Sequence, residues 1–263
     1  MKDARTWDDL TVRLVSGISM VALGLVSVWA GGLWFHALIA VVCGLMVWEL
    51  VHLLDTGRTR SRTILAFATA IAAMIAIEVP IGFALPLLFL PSMLGLLRMQ
   101  THAVSYAVYA ALIMVAGYGL MALRDDFGLI WMLWFLCVVV FTDVAGYFAG
   151  RAFGGPKLWP RVSPSKTWSG TLAGWAAAAA TGAAFGASTG AGLSLAGISV
   201  AVSMASQIGD ITESALKRRA GVKDSSALIP GHGGLMDRFD GMLGAALLVV
   251  VIGLVAGYPP EAP

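Results

Sequence analysis

Long apolar runs alternate with short polar breaks along almost the whole chain. A bilayer core needs about 20 apolar residues as helix. The pattern predicts nine such spans, at 13–31, 33–54, 63–80, 82–97, 103–123, 127–149, 168–188, 191–209 and 239–258. The fourth carries Pro86 and Pro91, which kink a span but are tolerated where neighbouring helices satisfy the freed backbone groups. The eighth is rich in Ser and Gly. The Ala- and Gly-biased run from Trp175 predicts tight packing, because small residues let helices approach closely in lipid. No internal repeat is evident. The first run follows Lys2, Arg5 and Arg13 as a signal peptide would, yet it is long enough to span and precedes more spans, so it reads as a retained anchor.

Positive charge tests the span count, since Lys and Arg concentrate in cytoplasmic segments. With the N-terminus inside, the inner segments hold Lys2, Arg5, Arg58, Arg60, Arg62, Arg98, Arg151, Lys157, Arg161, Lys166, Lys217, Arg218, Arg219, Lys223 and Arg238. Arg13 sits at the inner end of the first span, and only Arg124 falls outside, beside Asp125 and Asp126. A wrong count would scramble this segregation. Trp29, Trp34 and Trp131 are expected at outer span ends, and Trp7, Trp159 and Trp168 at inner ones, as an interfacial aromatic belt.

Composition agrees: 59% of residues are hydrophobic and 12% charged, against about 25% charged in soluble domains. A net charge of +2 gives no reason to expect a nucleic-acid partner. Cys43 and Cys137 lie inside apolar runs without a Cys/His cluster, so they read as small buried hydrophobes rather than disulfide or zinc ligands.

Two polar stretches remain, both predicted on the cytoplasmic side. In the first, Asp143 sits about two turns inside its span, where a carboxylate is costly unless paired or hydrated. An ion pair with a nearby Lys or Arg is the plain alternative to a functional role. Gly150, Gly154 and Gly155 permit close backbone approach or unusual backbone angles. Ser163, Ser165, Lys166 and Thr167 precede a helix, a natural anion site, although Ser and Thr also simply cap helices. Arg151, Lys157 and Arg161 equally suit anionic lipid headgroups.

In the second stretch Asp210, Glu213, Ser214 and Lys217 share one face if their helix continues past the apolar part. Asp237 and Asp240, three apart, share another. Carboxylates without Cys or His clusters suit a hard cation such as Mg²⁺. A polyphosphate with its metal would balance the crowd of Lys217, Arg218, Lys223 and Arg238, and the Pro-Gly-His-Gly-Gly turn could offer backbone N–H groups to phosphate oxygens. The bland reading is a solvated basic loop obeying the charge rule. His36, His52 and His102 read as interfacial or structurally satisfied; Glu49 and Glu78 lie near span ends.

Here the chain resembles the phosphatidate cytidylyltransferases, also called CDP-diacylglycerol synthases. The family pattern is Ser-x-apolar-Lys-Arg, four residues, Lys-Asp, then Pro-x-His-Gly-Gly, two residues and Asp-Arg-apolar-Asp. Ser214, Leu216, Lys217, Arg218, Lys223, Asp224, Pro230, His232, Gly233, Gly234, Asp237, Arg238 and Asp240 fall in register. The resemblance extends upstream to Asp143, Tyr147, Gly150, Arg151, Ser163, Pro164, Lys166, Thr167 and Trp168, and to Gly209-Asp210 with Glu213. Ser169 stands where the family often has Glu, and Val144-Ala145-Gly146 replaces a more usual Thr-Gly-Ala.

The resemblance implies transfer of the cytidylyl group of CTP to phosphatidate at a bacterial-type inner membrane, with Mg²⁺ and metal roles for Asp210 and Asp237. The expected fold is an all-α polytopic membrane protein with one membrane domain over 1–263. Residues 1–125 would be scaffold or oligomerisation helices, a homodimer being one such assembly, and 126–258 the catalytic helices and loops. Lys217, Arg218, Lys223 and Arg238 would grip CTP phosphates or the lipid headgroup. Ser163, Lys166 and Thr167 form a second candidate phosphate site, with Arg151, Ser214, Gly233 and Gly234 as further substrate contacts. Asp143, Glu213, Asp224 and Asp240 would hold a second cation or orient the site's cations, and His232 would shape its turn by hydrogen bonding. A CTP-dependent lipid-alcohol kinase would instead need a general base at Asp224 or His232. A transporter using the acids as a relay predicts inverted repeats.

Overall fold

In lipid every backbone polar group must be satisfied within the protein, which leaves helices and closed β-barrels as ways to cross, and continuous apolar runs of about 20 residues suit helices. A computed structural model of the chain bears this out: it is an all-α, multi-pass membrane protein with one small sheet. The structure describes the backbone of residues 2–55, 57 and 59–256, with side chains from residue 11 onward. The side chains of Lys2, Arg5 and Trp7, and Arg58 altogether, lie outside the described residues.

The described helices are α1 (Lys2–Ala30), α2 (Gly32–Leu54), α3 (Thr59–Glu78), α4 (Ile81–Arg98), α5 (Ala103–Asp126), α6 (Leu129–Phe153), α7 (Trp168–Thr189), α8 (Ser194–Arg219) and α9 (Met236–Ala256). Each predicted span coincides with one of them. Eight are long and apolar enough to cross a membrane. The other, α7, is 22 residues of mostly Ala, Gly, Ser and Thr, a composition that lowers its hydropathy. α4 runs through Pro86 and Pro91 without a break. α8 continues ten residues beyond the predicted end of its span at 209 and carries the polar face with it. Between α6 and α7 the chain makes an antiparallel hairpin, β1 (Lys157–Trp159) with β2 (Ser163–Thr167), pairing Lys157 with Thr167 and Trp159 with Ser163.

Packing divides the chain into two compact units: Met1–Met121 with Val222–Arg238, and Ala122–Gly221 with Phe239–Pro263. The core of the first includes Phe35, Val47, Leu50, Val51, Leu65 and Tyr106. α2 and α3 approach closely at Gly44, where a Cβ would stand 2.8 Å from the Ala66 carbonyl oxygen. In the second unit α7 packs against α6 and α8. The small residues of α7 make this approach possible: a Cβ on Gly174 would stand 2.9 Å from Gln207 Nε2 and 3.1 Å from the Thr142 carbonyl oxygen.

Among the tryptophans, Trp29, Trp34, Trp159 and Trp168 are exposed, as an aromatic belt requires. Trp131 is not: it is 1% exposed and stacks edge-to-face on Trp134 with centroids 5.9 Å apart. The face of α6 that bears both rings is core, so Trp131 serves packing rather than the interface. Cys43 is buried and Cys137 partly so, and both are free.

Candidate functional site

The second unit holds a cavity of about 530 Å³ lined by Thr142, Asp143, Gly146, Tyr147, Gly150, Arg151, Ser165, Lys166, Thr167, Gly170, Thr171, Gln207 and Asp210. Three elements build it. α6 supplies Asp143, Tyr147 and Arg151 at i, i+4 and i+8, which places them on one face. The end of β2 and the start of α7 supply Ser165, Lys166 and Thr167. α8 supplies Gln207 and Asp210.

Glycine makes the α6–α7 wall thin enough. A Cβ on Gly170 would stand 3.3 Å from the carbonyl carbon of Gly146, and one on Gly150 2.9 Å from Thr167 Oγ1. After α6 the chain must turn sharply into the hairpin, and Gly154 and Gly155 do so at φ 58° and 98°, a region glycine enters without a Cβ clash. Gly150 itself is helical, so close approach, not an unusual angle, explains it.

At the cavity wall Lys166 Nζ pairs with Asp210 Oδ2 at 2.5 Å, and Ser214 Oγ donates to Asp210 Oδ1 at 3.3 Å. Arg151 Nη1 donates to the Tyr147 hydroxyl at 2.9 Å. Asp143 lies within electrostatic reach of Lys166 and Asp210, and Asp240 of Asp210, Lys217 and Asp143. One turn on from Asp210, Glu213 forms an i,i+4 ion pair with Lys217, both ends largely buried. The predicted common face of Asp210, Glu213, Ser214 and Lys217 is therefore present. Asp240 Oδ1 accepts the Gly241 N–H at 2.7 Å. Arg218 is exposed.

Thr167 caps α7, its hydroxyl accepting the Gly170 N–H at 3.2 Å. Ser169 Oγ lies 3.0 Å from Thr167 Oγ1 and donates to the Gly154 carbonyl at 2.5 Å. Ser163 is buried in β2 and does not line the cavity. Lys166, not the Ser163 hydroxyl, is the part of this segment best placed for an anion.

The residues of the family pattern from Lys223 to Arg238 lie in the first unit, as one loop ending in the first turn of α9. Asp237 organises it. Oδ2 accepts the Ser225 N–H at 3.0 Å and the Gly234 N–H at 2.8 Å, and it lies 3.1 Å from the Ser225 hydroxyl, whose one proton it shares with Glu49 Oε2. The Ile229 N–H donates to the Gly233 carbonyl at 2.8 Å and the His232 N–H to the Ile229 carbonyl at 3.0 Å, closing the Pro-Gly-His-Gly turn on itself. The His232 and Gly234 amides are thus used inside the loop rather than held open for phosphate. His232 Nδ1 is 2.9 Å from Ser16 Oγ, and its carbonyl accepts Arg238 Nε at 3.1 Å as well as Nη2. Lys223 and Asp224 are exposed.

Sequence reasoning missed several contributors. Gln207 faces the cavity, its Oε1 held by Trp175 Nε1 at 3.0 Å. Ser225 and Ser226 bind the carboxylate of Glu49, which is fully buried in α2. A buried acid inside an apolar span was the available signal for Glu49. Its partners could not be read, because they lie far away in sequence.

The cavity donors suit a hard divalent cation. Carboxylate, hydroxyl and amide oxygens line it, without sulfur or imidazole. Among the described residues no three His, Cys, Asp or Glu side chains cluster as metal ligands.

The model of the cytidylyltransferase family matches residues 11–255. A phosphatidate cytidylyltransferase of Brucella suis biovar 1 is 36% identical over 259 residues, covering 95% of this chain and 96% of the relative. One of Brucella abortus biovar 1 is 35% identical over the same length. One of Bacillus subtilis is 37% identical over 123 residues, 45% of each chain. The match spans both units and every helix that lines the cavity, and the chain belongs to the cytidylyltransferase family.

Proposed function

We propose that the chain transfers the cytidylyl group of CTP to phosphatidate, forming CDP-diacylglycerol and pyrophosphate. The observation that carries this reading is a polar cavity at the ends of otherwise apolar helices, lined by Asp143, Arg151, Lys166 and Asp210. The relatives that match the chain end to end are named for the same activity.

A phosphatidate phosphate oxygen attacks the α-phosphorus of CTP, and the bond from that phosphorus to the oxygen bridging the β-phosphorus breaks. The nucleophile is already anionic at neutral pH, so no side chain need remove a proton. The obstacle is bringing two polyanions together, and catalysis rests on positioning and charge neutralisation. Lys166 and Arg151 supply positive charge at the cavity, and Tyr147 orients Arg151. Lys217 is steadied by Glu213, and Lys166 by Asp210. Asp210 and Asp143 are the residues of this unit that would hold Mg²⁺, with Asp240 near enough to influence a second cation. Bound there, Mg²⁺ would offset phosphate charge and stabilise the departing pyrophosphate. Asp237 is proposed as a metal ligand in its own unit, beside its role in the loop. Lys223, Arg218 and Arg238, exposed and basic, are proposed to draw CTP from the cytosol to an inward-facing site.

The test uses purified protein in detergent with phosphatidate, Mg²⁺ and CTP labelled separately at the α- and γ-phosphates. Transfer of α-label to lipid, release of pyrophosphate and loss of both on chelation are expected. Transfer of γ-label to a lipid alcohol would make the protein a kinase. No lipid label from folded protein would overturn both.

A further inference from the structure

Glu49 is 0% exposed within α2, a span of mean hydropathy 2.2. A carboxylate there is tolerated only if fully hydrogen-bonded. Four donors meet it, all from one loop. Oε1 accepts the Ser226 hydroxyl at 2.5 Å and the Leu235 N–H at 2.9 Å. Oε2 accepts the Ser225 hydroxyl at 3.1 Å and the Met236 N–H at 2.7 Å.

The two amides belong to the start of α9. Met236 is its first residue, and Leu235 before it has an apolar side chain that cannot cap a helix. Glu49 supplies the missing cap from another helix. The two hydroxyls fix the beginning of the loop, and Ser225 Oγ also lies 3.1 Å from Asp237 Oδ2. Gly234 sits against the carboxylate: a Cβ there would strike Ser225 Oγ and stand 2.8 Å from Glu49 Oε1.

We propose that Glu49 is a positioning residue for the reaction, acting through Ser225, Ser226 and the first amides of α9 to hold the segment from Lys223 to Arg238 in its working shape. The proposal rests on the cytidylyltransferase reading for its effect on rate, but not for its effect on the loop. Glu49→Gln is the sharpest variant. It keeps the side chain's shape but turns one acceptor into an NH₂ donor facing an N–H that cannot reverse.

Amide hydrogen exchange measured peptide by peptide on the purified full chain tests the loop directly, and steady-state kinetics with CTP and phosphatidate test its use. In Glu49→Gln, exchange across 225–238 should accelerate about tenfold while α3 peptides (59–78) stay unchanged, and kcat should fall at least tenfold. Glu49→Asp, which keeps both oxygens one methylene short, should recover part of both. Three results would overturn the proposal: loop exchange unchanged in Glu49→Gln; loop exchange faster with kcat within twofold of the parent; or 59–78 accelerating in step with 225–238, which marks general unfolding. If the parent protein makes no CDP-lipid, the functional reading fails, while the exchange result still decides whether Glu49 anchors the loop.

Discussion

Asp210 and Asp237 have the same side chain, belong to the same sequence pattern and were both expected to bind metal, yet the structure treats them differently. Asp210 lines a cavity, where two side chains, Lys166 and Ser214, meet its carboxylate. Asp237 accepts two backbone amides and shares a buried serine hydroxyl with Glu49. The partners of Asp210 can turn aside for a ligand. Those of Asp237 can do so only if the loop itself changes. One carboxylate is presented to ligands, and the other is also built into a scaffold.

The sharpest way to break this comparison is to neutralise the presented acid. Asp210→Asn keeps the shape and the Ser214 hydrogen bond but removes the charge that faces Lys166 and the proposed cation. We expect a loss of about 10³-fold in kcat/KM, comparable to removing a strong electrostatic stabiliser, with the helical content and melting of the protein little altered. A loss accompanied by unfolding would place Asp210 with Asp237 as a structural acid. Raising Mg²⁺ should recover part of the activity in Asp210→Asn.

Gly234→Ala attacks the scaffold side. Its methyl group would collide with Ser225 Oγ and crowd both Glu49 oxygens, shifting the loop rather than removing any charge. Displacement of catalytic groups by about 1 Å can cost about 10²-fold, and that is the loss expected in kcat. The same assay across an Mg²⁺ series tests the proposed metal role of Asp237, which the Gly234 N–H helps to hold: added Mg²⁺ should recover part of the lost activity. No rescue at any Mg²⁺ concentration would confine the loop to substrate contacts and remove Asp237 from the proposed metal ligands.

Much of this was legible in the chain. Hydrocarbon leaves the backbone no partner but itself, so apolar runs map onto helices one for one, and every predicted span found its helix. The i,i+4 geometry of Asp210, Glu213, Ser214 and Lys217 followed once α8 was taken past its apolar part. What escaped was set by long-range contact. The Glu49–Ser225 bond joins residues 176 apart, and nothing local in either segment announces it. Trp131 carries a belt residue's position but sits on the helix face that turned out to be core. The hairpin at 157–167 looks like irregular loop because Pro and Gly dominate its surroundings, and its pairing register depends on two short segments meeting.

Lys217 and Glu213 give an intermediate case, since Lys217 belongs to the proposed phosphate-binding set but is also half of a largely buried pair. Removing one partner of such a pair strands the other charge, at a cost of roughly 3 kcal/mol. Lys217→Met should lower thermal stability by an amount of that order. The double variant Lys217→Met with Glu213→Leu should regain most of the stability without regaining activity. Recovery of both would make the pair purely structural.

The smallest expected effect concerns Thr167, which the sequence assigned to phosphate binding and the structure shows capping α7. Loss of an N-cap hydroxyl costs about 1 kcal/mol. Thr167→Ser keeps the cap, and Thr167→Ala removes it. If capping is the hydroxyl's whole contribution, Thr167→Ala lowers the melting midpoint by a few degrees with the KM for CTP unchanged, and Thr167→Ser matches the parent. A rise in that KM out of proportion to the stability loss would show that the hydroxyl, or the Lys166 it flanks, meets substrate at the helix N-terminus. The outcome fixes how far the presented side of the cavity reaches, because Thr167 and Lys166 are neighbours in the chain and only Lys166 pairs with Asp210.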